Sequence, residues 1–340
     1  MKLSFDEIKS VVTGAVRFEV RDGALLPSRF TEAQYEYYET YGASLITKCP
    51  ASAGMRLCFR TDSSTLGMKI NVSMGSTRRY FMVEVFSDGV RVGDINNFTQ
   101  GITERYVLDK DEYELGDYEG SFSLGEGEKT VTVFLPWSVG TAFREVTLDD
   151  GATLTPVKRE KTLLVYGDSV TQGYDAAHPS MRYMSVIADR LSADEYNKAI
   201  GGEQFRARLA ALPDELSPDY IIVSYGSNDW KKRQHRECFI EDCRGFFENL
   251  RANYPSTPIF ALTPIWRLDK DDESVLGDFD SVGALIAELT QHIEGLTVIC
   301  GRHFVPEDTS YFGDFRLHPN DAGFALQAEN LWAELEKYID

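Results

Sequence analysis

The chain has 340 residues, with 43% hydrophobic and 12% aromatic content, which is ordinary for a folded protein and too long for one ordinary core, so two domains are expected. A formal net charge of -19 excludes a phosphate-backbone binder, which needs basic patches, and weighs against adhesion to anionic membranes. The opening Met1-Lys2-Leu3-Ser4-Phe5-Asp6-Glu7 is too polar for a signal peptide, and no apolar run is long enough to span a bilayer. The five cysteines, Cys49, Cys58, Cys238, Cys243 and Cys300, are odd in number and match no zinc spacing. The expectation is a cytoplasmic protein with reduced thiols, no nucleic-acid partner and no membrane partner.

The first half reads as β structure. Residues 56–60, 68–72, 82–86 and 130–134 alternate polar and apolar side chains, the period of a half-buried strand. Turn signals separate them at Ser87-Asp88-Gly89, at Leu124-Gly125-Glu126-Gly127-Glu128 and at Asp149-Asp150-Gly151. This spacing predicts an all-β sandwich of jelly-roll type over residues 1–157, with little long helix.

The grammar changes after Thr155-Pro156-Val157-Lys158-Arg159-Glu160. Short apolar runs at 162–166, 195–199, 220–224, 258–262 and 297–300 now alternate with amphipathic stretches at 238–253 and 280–293. A last helix is predicted over 319–338. Such alternation builds a parallel sheet with right-handed crossovers. The fold class is α/β, with a flavodoxin-like three-layer α/β/α domain over residues 158–340.

Gly167-Asp168-Ser169-Val170-Thr171-Gln172-Gly173 follows the first of these strands. Open α/β sheets bind ligands just past the C-terminal strand ends, so Ser169 is a candidate nucleophile. Asp168 or Ser169 reads equally well as the cap of the next helix. Thr171 stands where a Gly-x-Ser-x-Gly elbow has its second glycine, which excludes that elbow. A hydrolytic serine needs a base, an orienter for the base and donors for the oxyanion. His318 is the candidate base; it precedes the last helix and lies on the Ser169 edge if the last strand neighbours the first. Gly202 and Asn228, in turns after the second and third strands, are candidate oxyanion donors together with the Ser169 amide. Each also reads as ordinary punctuation: a structural histidine, a turn glycine, a helix cap.

Gly167-Asp168-Ser169, the segment 197–202, Gly226-Ser227-Asn228-Asp229 and His318-Pro319 resemble, in order and spacing, the four motif blocks of the SGNH (GDSL-type) hydrolases. The resemblance covers residues 160–340. It implies that Ser169 is the nucleophile, His318 the base, and Ser169, Gly202 and Asn228 the oxyanion donors, with no metal and no cofactor. Members of the family are esterases, lipases, thioesterases and carbohydrate deacetylases. The family usually places its acid three residues before the histidine, and here that residue is Phe315. Asp314, four before, is the first expectation, reaching the imidazole through a one-residue bulge; Asp308 or a backbone carbonyl are the alternatives.

Segments 56–63, 122–128 and 134–137 are similar to the β-sandwich that precedes some SGNH catalytic domains, as in two-domain carbohydrate acetylesterases. That likeness implies a small-molecule or carbohydrate ester as substrate. Trp137 and the tyrosine-rich segment 35–41 are either sugar-stacking platforms or packing. Trp230 and Trp266, in strand-end loops, are candidate substrate-binding walls or simply pack their loops. The acidic run 269–273 reads as a solvated loop. The resulting expectation is a serine esterase for small acyl groups, acetyl on a carbohydrate first among them. An acyltransferase using the same site, or a catalytically weak carbohydrate-binding protein, are the alternatives.

Overall fold

Lys161–Gly167 carries apolar residues at successive positions, a pattern suited to a strand buried on both faces. In the computed structural model, which describes residues 1–98, 113–212 and 214–339, it is an inner strand of a five-stranded parallel sheet. The order across the sheet is Ala193–Asn197, Lys161–Gly167, Tyr220–Ser224, Ile259–Leu262, Leu296–Ile299. The direction of winding reverses beside Lys161–Gly167, and such a reversal opens a ligand crevice at the C-terminal strand ends. Leu163 and Val165 pack toward helices Tyr183–Arg190 and Asp321–Leu335, while Leu164 and Tyr166 pack toward Arg236–Asn253 and Ser281–Thr290. The result is the three-layer α/β/α arrangement. Among the described residues, no helix is long and apolar enough to cross a membrane.

The condition under which His318 is placed on the Ser169 edge is not the one the fold uses. The last strand does not neighbour the first; it is the far edge of the sheet. Residues 300–320 instead return across the strand ends, tacked by a Phe312–Pro319 bridge, and bring His318 back to the first strand.

The preceding residues form two antiparallel sheets. One runs Val12–Thr13, Arg56–Thr61, Lys129–Phe134, Met82–Ser87, Val90–Asn96, with Thr155–Pro156 paired to Arg56–Thr61. The other runs Arg17–Arg21, Ala24–Ser28, Val139–Leu148, Thr65–Met74, Gly116–Ser123. Alternate residues such as Leu66, Met68, Ile70 and Val72 meet Leu57, Phe59, Val83 and Val131 in one core.

Short helices interrupt this β region, at Phe5–Val11, Glu32–Tyr41 and Ala43–Ile46, and none is long. Phe5–Val11 and Glu32–Tyr41 each begin with a capping box, Ser4 with Glu7 and Thr31 with Gln34. The second carries the tyrosine-rich segment. Tyr37 and Tyr38 are buried in the α/β core beside Phe205 and Trp230, so these two rings are packing and not sugar platforms. Trp137 is likewise buried: its indole N–H donates to Ala176 O at 2.9 Å and its ring lies against Tyr80 and Tyr174.

Polar contacts join the sandwich to the strand ends. Buried Arg29 donates to Ala51 O at 2.6 Å, Asn197 O at 2.9 Å and Ala199 O at 2.8 Å. Below the Ser169 turn, Arg182 forks onto Glu195 at 3.1 and 2.9 Å, with both side chains almost fully buried. Glu195 also accepts from Asn197 Nδ2 at 2.8 Å. Removing one member of such a pair leaves a buried, unmatched charge. Arg182→Met is expected to cost about 3–5 kcal/mol of stability, read from the urea midpoint, and Arg182→Met/Glu195→Leu to recover much of it. A single-variant loss under about 1 kcal/mol contradicts this account of the seam.

Candidate active site

The first parallel strand ends at Gly167, and Asp168 caps the short helix Ser169–Gln172 by accepting the Val170 N–H at 3.0 Å. The cap and the serine are therefore different residues. Asp168 takes up the helix N–H, and Ser169 is left at the first helical position with its hydroxyl turned to His318. Gly173, in the left-handed conformation at φ +112, ends the turn.

Ser169 Oγ lies 2.8 Å from His318 Nε2, and His318 Nδ1 lies 2.6 Å from Asp314 Oδ2. The other Asp314 oxygen accepts three backbone N–H groups, those of Arg316 at 3.0 Å, Leu317 at 2.8 Å and His318 at 3.0 Å. The extra residue between acid and histidine is absorbed at Phe315, whose φ of +55 is rare for a side chain of its size. Burial pushes the Asp314 carboxyl up, but the His318 hydrogen bond and charge and the N–H groups of Leu317 and His318 outweigh it and hold it well below the usual carboxylate range. Asp308 is exposed and caps a separate turn through Ser310 N at 2.9 Å.

The loop after the fourth strand braces this turn. Leu268 N donates to Arg316 O at 2.9 Å, and Asp269 pairs with Arg316, Arg267 and Lys231. Asp269 is therefore not part of a solvated run; it is spent on three cations. Trp230 is 1% exposed, donates its indole N–H to Gly277 O at 2.8 Å and packs on Phe279. Trp266 is buried against Phe312. Both tryptophans pack their loops, which corrects the reading of them as open substrate walls.

Gly202 has φ +88, which glycine adopts without strain. Asn228 donates one amide N–H to Asp168 Oδ2 at 3.3 Å. Among the described residues no protein acceptor takes the N–H of Ser169, the N–H of Gly202 or the second amide N–H of Asn228. Three donors, one in each turn after three adjacent strands, are thus unspent. Lys48 donates to Gly201 O and Lys232 to Gly202 O at 3.1 Å, so two cations flank the same loop. Burial lowers both ammonium groups.

Sequence reasoning missed Gln172 and Asp175. Gln172 is fully buried; its amide donates to Trp137 O at 2.9 Å and Gly75 O at 3.3 Å and accepts the Gly201 N–H at 2.8 Å. Asp175 Oδ2 lies 3.7 Å from His318 Nδ1. The available signal was a second acid six residues past Ser169. Ligand atoms of Asp175, Asp314 and His318 lie within 4.8 Å of one another, and the cation placed against this group is the Arg78 guanidinium.

Residues 165–326 match the model of the GDSL-like lipase/acylhydrolase family. No curated protein sequence matches the chain. Among solved structures, a salicylyl-acyltransferase from a tetracycline biosynthetic pathway is similar at TM-score 0.77 and 20% identity, over 96% of this chain and 94% of that one. A family two carbohydrate esterase from Cellvibrio japonicus is similar at TM-score 0.66 and 18% identity, over 99% and 97%. An acetyl xylan esterase from the rumen bacterium Butyrivibrio proteoclasticus is similar at TM-score 0.59 and 16% identity, over 84% and 90%. At these identities the likeness is one of fold.

Asp168 supplies a pH test of the site. Burial raises its carboxyl pKa to about 6, although the Val170 N–H and the His318 charge pull it down. The folded protein holds this proton to higher pH than the unfolded chain, so the group's contribution to stability is lost as pH rises through about 4 to 6. The stability of the wild type relative to Asp168→Asn is expected to fall between about pH 4 and pH 7 in urea titrations. A difference that is flat or rises over that range contradicts the assignment.

Proposed function

The C-terminal half of the chain is a GDSL-type (SGNH) acylhydrolase, and from that premise we propose a serine esterase that removes small acyl groups, acetyl first among them, from a carbohydrate. The observation that carries this reading is the unbroken hydrogen-bonded line Asp314–His318–Ser169 beside three unspent donors. Support for the substrate class comes from the family two carbohydrate esterase and the acetyl xylan esterase, which share the fold along most of the chain.

In this mechanism Ser169 Oγ attacks the ester carbonyl while His318 Nε2 takes the hydroxyl proton. Asp314 keeps the imidazole in the tautomer with its proton on Nδ1 and stabilises the imidazolium that forms. Negative charge develops on the carbonyl oxygen among the N–H groups of Ser169, Gly202 and Asn228. A preorganised donor of this kind is worth on the order of 3 kcal/mol in the transition state. Collapse expels the alcohol, which receives its proton from His318. Water, deprotonated by the same nitrogen, then hydrolyses the acyl-serine.

A second reading rests on the likeness to the salicylyl-acyltransferase: the acyl group passes from Ser169 to an alcohol acceptor in place of water. The two part on products. With acetylated xylo-oligosaccharide and an added sugar acceptor, release of free acetate alone supports hydrolysis, and acetylated acceptor supports transfer.

With p-nitrophenyl acetate, Ser169→Ala and His318→Ala are each expected to lower kcat by about 10⁵-fold or more. Asp314→Ala is expected to lower it by about 10⁴-fold, and Asp308→Ala to change it less than about twofold, since Asp308 is exposed and only caps the Thr309–Tyr311 turn. Loss of activity in Asp308→Ala with retention in Asp314→Ala would overturn the choice of acid.

A further inference from the structure

Two carboxylates compete for one imidazole N–H. Asp314 Oδ2 lies at 2.6 Å from His318 Nδ1 and Asp175 Oδ2 at 3.7 Å. The Asp175 side chain is fully buried, and its backbone is left-handed at φ +73. A buried carboxylate beside an imidazole has strong reason to take that proton unless its charge is met elsewhere. Here it is met from the sandwich. Arg78 Nε donates to Asp175 Oδ1 at 2.8 Å and Nη2 to Oδ2 at 3.2 Å, and Tyr80 Oη donates to Oδ1 at 3.2 Å. The Arg78 side chain is itself 10% exposed.

The same sandwich segment reaches the ring of His318 by a second route. Thr77 N donates to Tyr174 Oη at 3.2 Å, and the Tyr174 ring packs on the imidazole with centroids 5.2 Å apart. The Arg78 guanidinium lies over the same Tyr174 ring, 5.5 Å from its centroid.

We infer that Arg78 is a positioning residue for His318: its fork holds Asp175 back, so that the imidazole N–H stays on Asp314 and Nε2 stays aimed at Ser169. The inference rests on the reading of His318 as the base. It gives the β-sandwich a part in the chemistry that its distance in sequence conceals. Among the described residues, the charged and titratable groups around the imidazole include Asp314 from the turn before the last helix, Asp175, Tyr174 and Ser169 from the segment after the first parallel strand, and buried Asp168 beside them. Arg78 is the sandwich's contribution. Without it, Asp175 presents an unneutralised negative charge to Nδ1. That favours the imidazolium and draws the N–H off the Asp314 line.

The test uses the full chain, p-nitrophenyl acetate, and pH profiles of kcat and kcat/KM. Arg78→Met is expected to lower kcat by about 10²-fold, the scale of a small misplacement of a reacting group, with KM changed less than about threefold. The acidic limb of kcat/KM is expected to move to higher pH by about one pH unit. Arg78→Met/Asp175→Asn, which removes the competing charge as well, is expected to regain at least about tenfold of the lost kcat and to return the limb toward the wild-type position. Arg78→Lys, which keeps the charge but not the fork, is expected to leave the limb in place and to lower kcat by less than the methionine variant. Should Arg78→Met fail to fold, Arg78→Gln, which removes the charge but keeps a hydrogen-bond donor, takes its place: a limb moved up by about one pH unit supports the inference, and an unmoved limb overturns it. Wild-type kcat and limb in Arg78→Met overturns the inference, as does a loss that Asp175→Asn does not relieve. Unchanged activity in His318→Ala instead strikes the underlying reading of the base.

Discussion

A buried polar seam along the C-terminal ends of the first two parallel strands governs this protein. The strands stop at Gly167 and Asn197, and their backbone groups end in a region closed to water. Leaving one such group unmatched costs about 1–3 kcal/mol. The sandwich supplies the partners: Arg29 for the carbonyls of Asn197 and Ala199, and the carbonyls of Gly75 and Trp137 for the Gln172 amide. Gln172 then passes the restraint to the Gly201 N–H, next to the proposed oxyanion donor Gly202. The second layer beneath is the Arg182–Glu195 pair, which ties the Ser169 turn to Asn197. The proposed site therefore sits on a surface that neither region completes alone.

Electrostatics at this seam run against the charge of the whole chain. The protein carries a formal charge of -19, yet Arg78, Lys48 and Lys232 gather around the strand-end loops. Arg78 is spent on Asp175, but Lys48 and Lys232 stand on the Gly202 loop, where positive charge suits a transition state that gathers negative charge on one oxygen. Asp314 is the counterweight. It accepts three backbone N–H groups and one imidazole N–H within a single turn, which fixes both its ionisation and its direction. The left-handed backbone at Phe315 is what this arrangement requires, and the four hydrogen bonds offset its strain.

The parallel sheet was legible because strands such as Lys161–Gly167 are apolar on both faces and because glycine-marked turns follow their ends. Ser169, Gly202, Asn228 and His318 were legible as types in order, each at a turn. So was Asp314 as the first choice of acid, through a one-residue bulge; the positive φ at Phe315 that forms the bulge is encoded by no hydrophobic pattern. Helix Glu32–Tyr41 was hidden by its tyrosines, although the capping box Thr31 with Gln34 was there to be read. Its rings pack on the α/β core, a partner set by tertiary pairing and not by local sequence. Trp230 and Trp266 misled for the same reason: position in a strand-end loop says nothing about which way an indole turns. Arg29, Arg78 and Gln172 act across the two regions, so their meaning exists only once the regions are docked.

The most direct measurement of the central claim is covalent labelling. Brief exposure to a fluorophosphonate, followed by intact-mass and peptide mass spectrometry, reads out which nucleophile is activated. The account predicts one adduct per chain, on the peptide that holds Ser169, strongly suppressed in His318→Ala and weakened in Asp314→Ala. An adduct on another residue, or equal labelling of Ser169 in the His318→Ala variant, contradicts it.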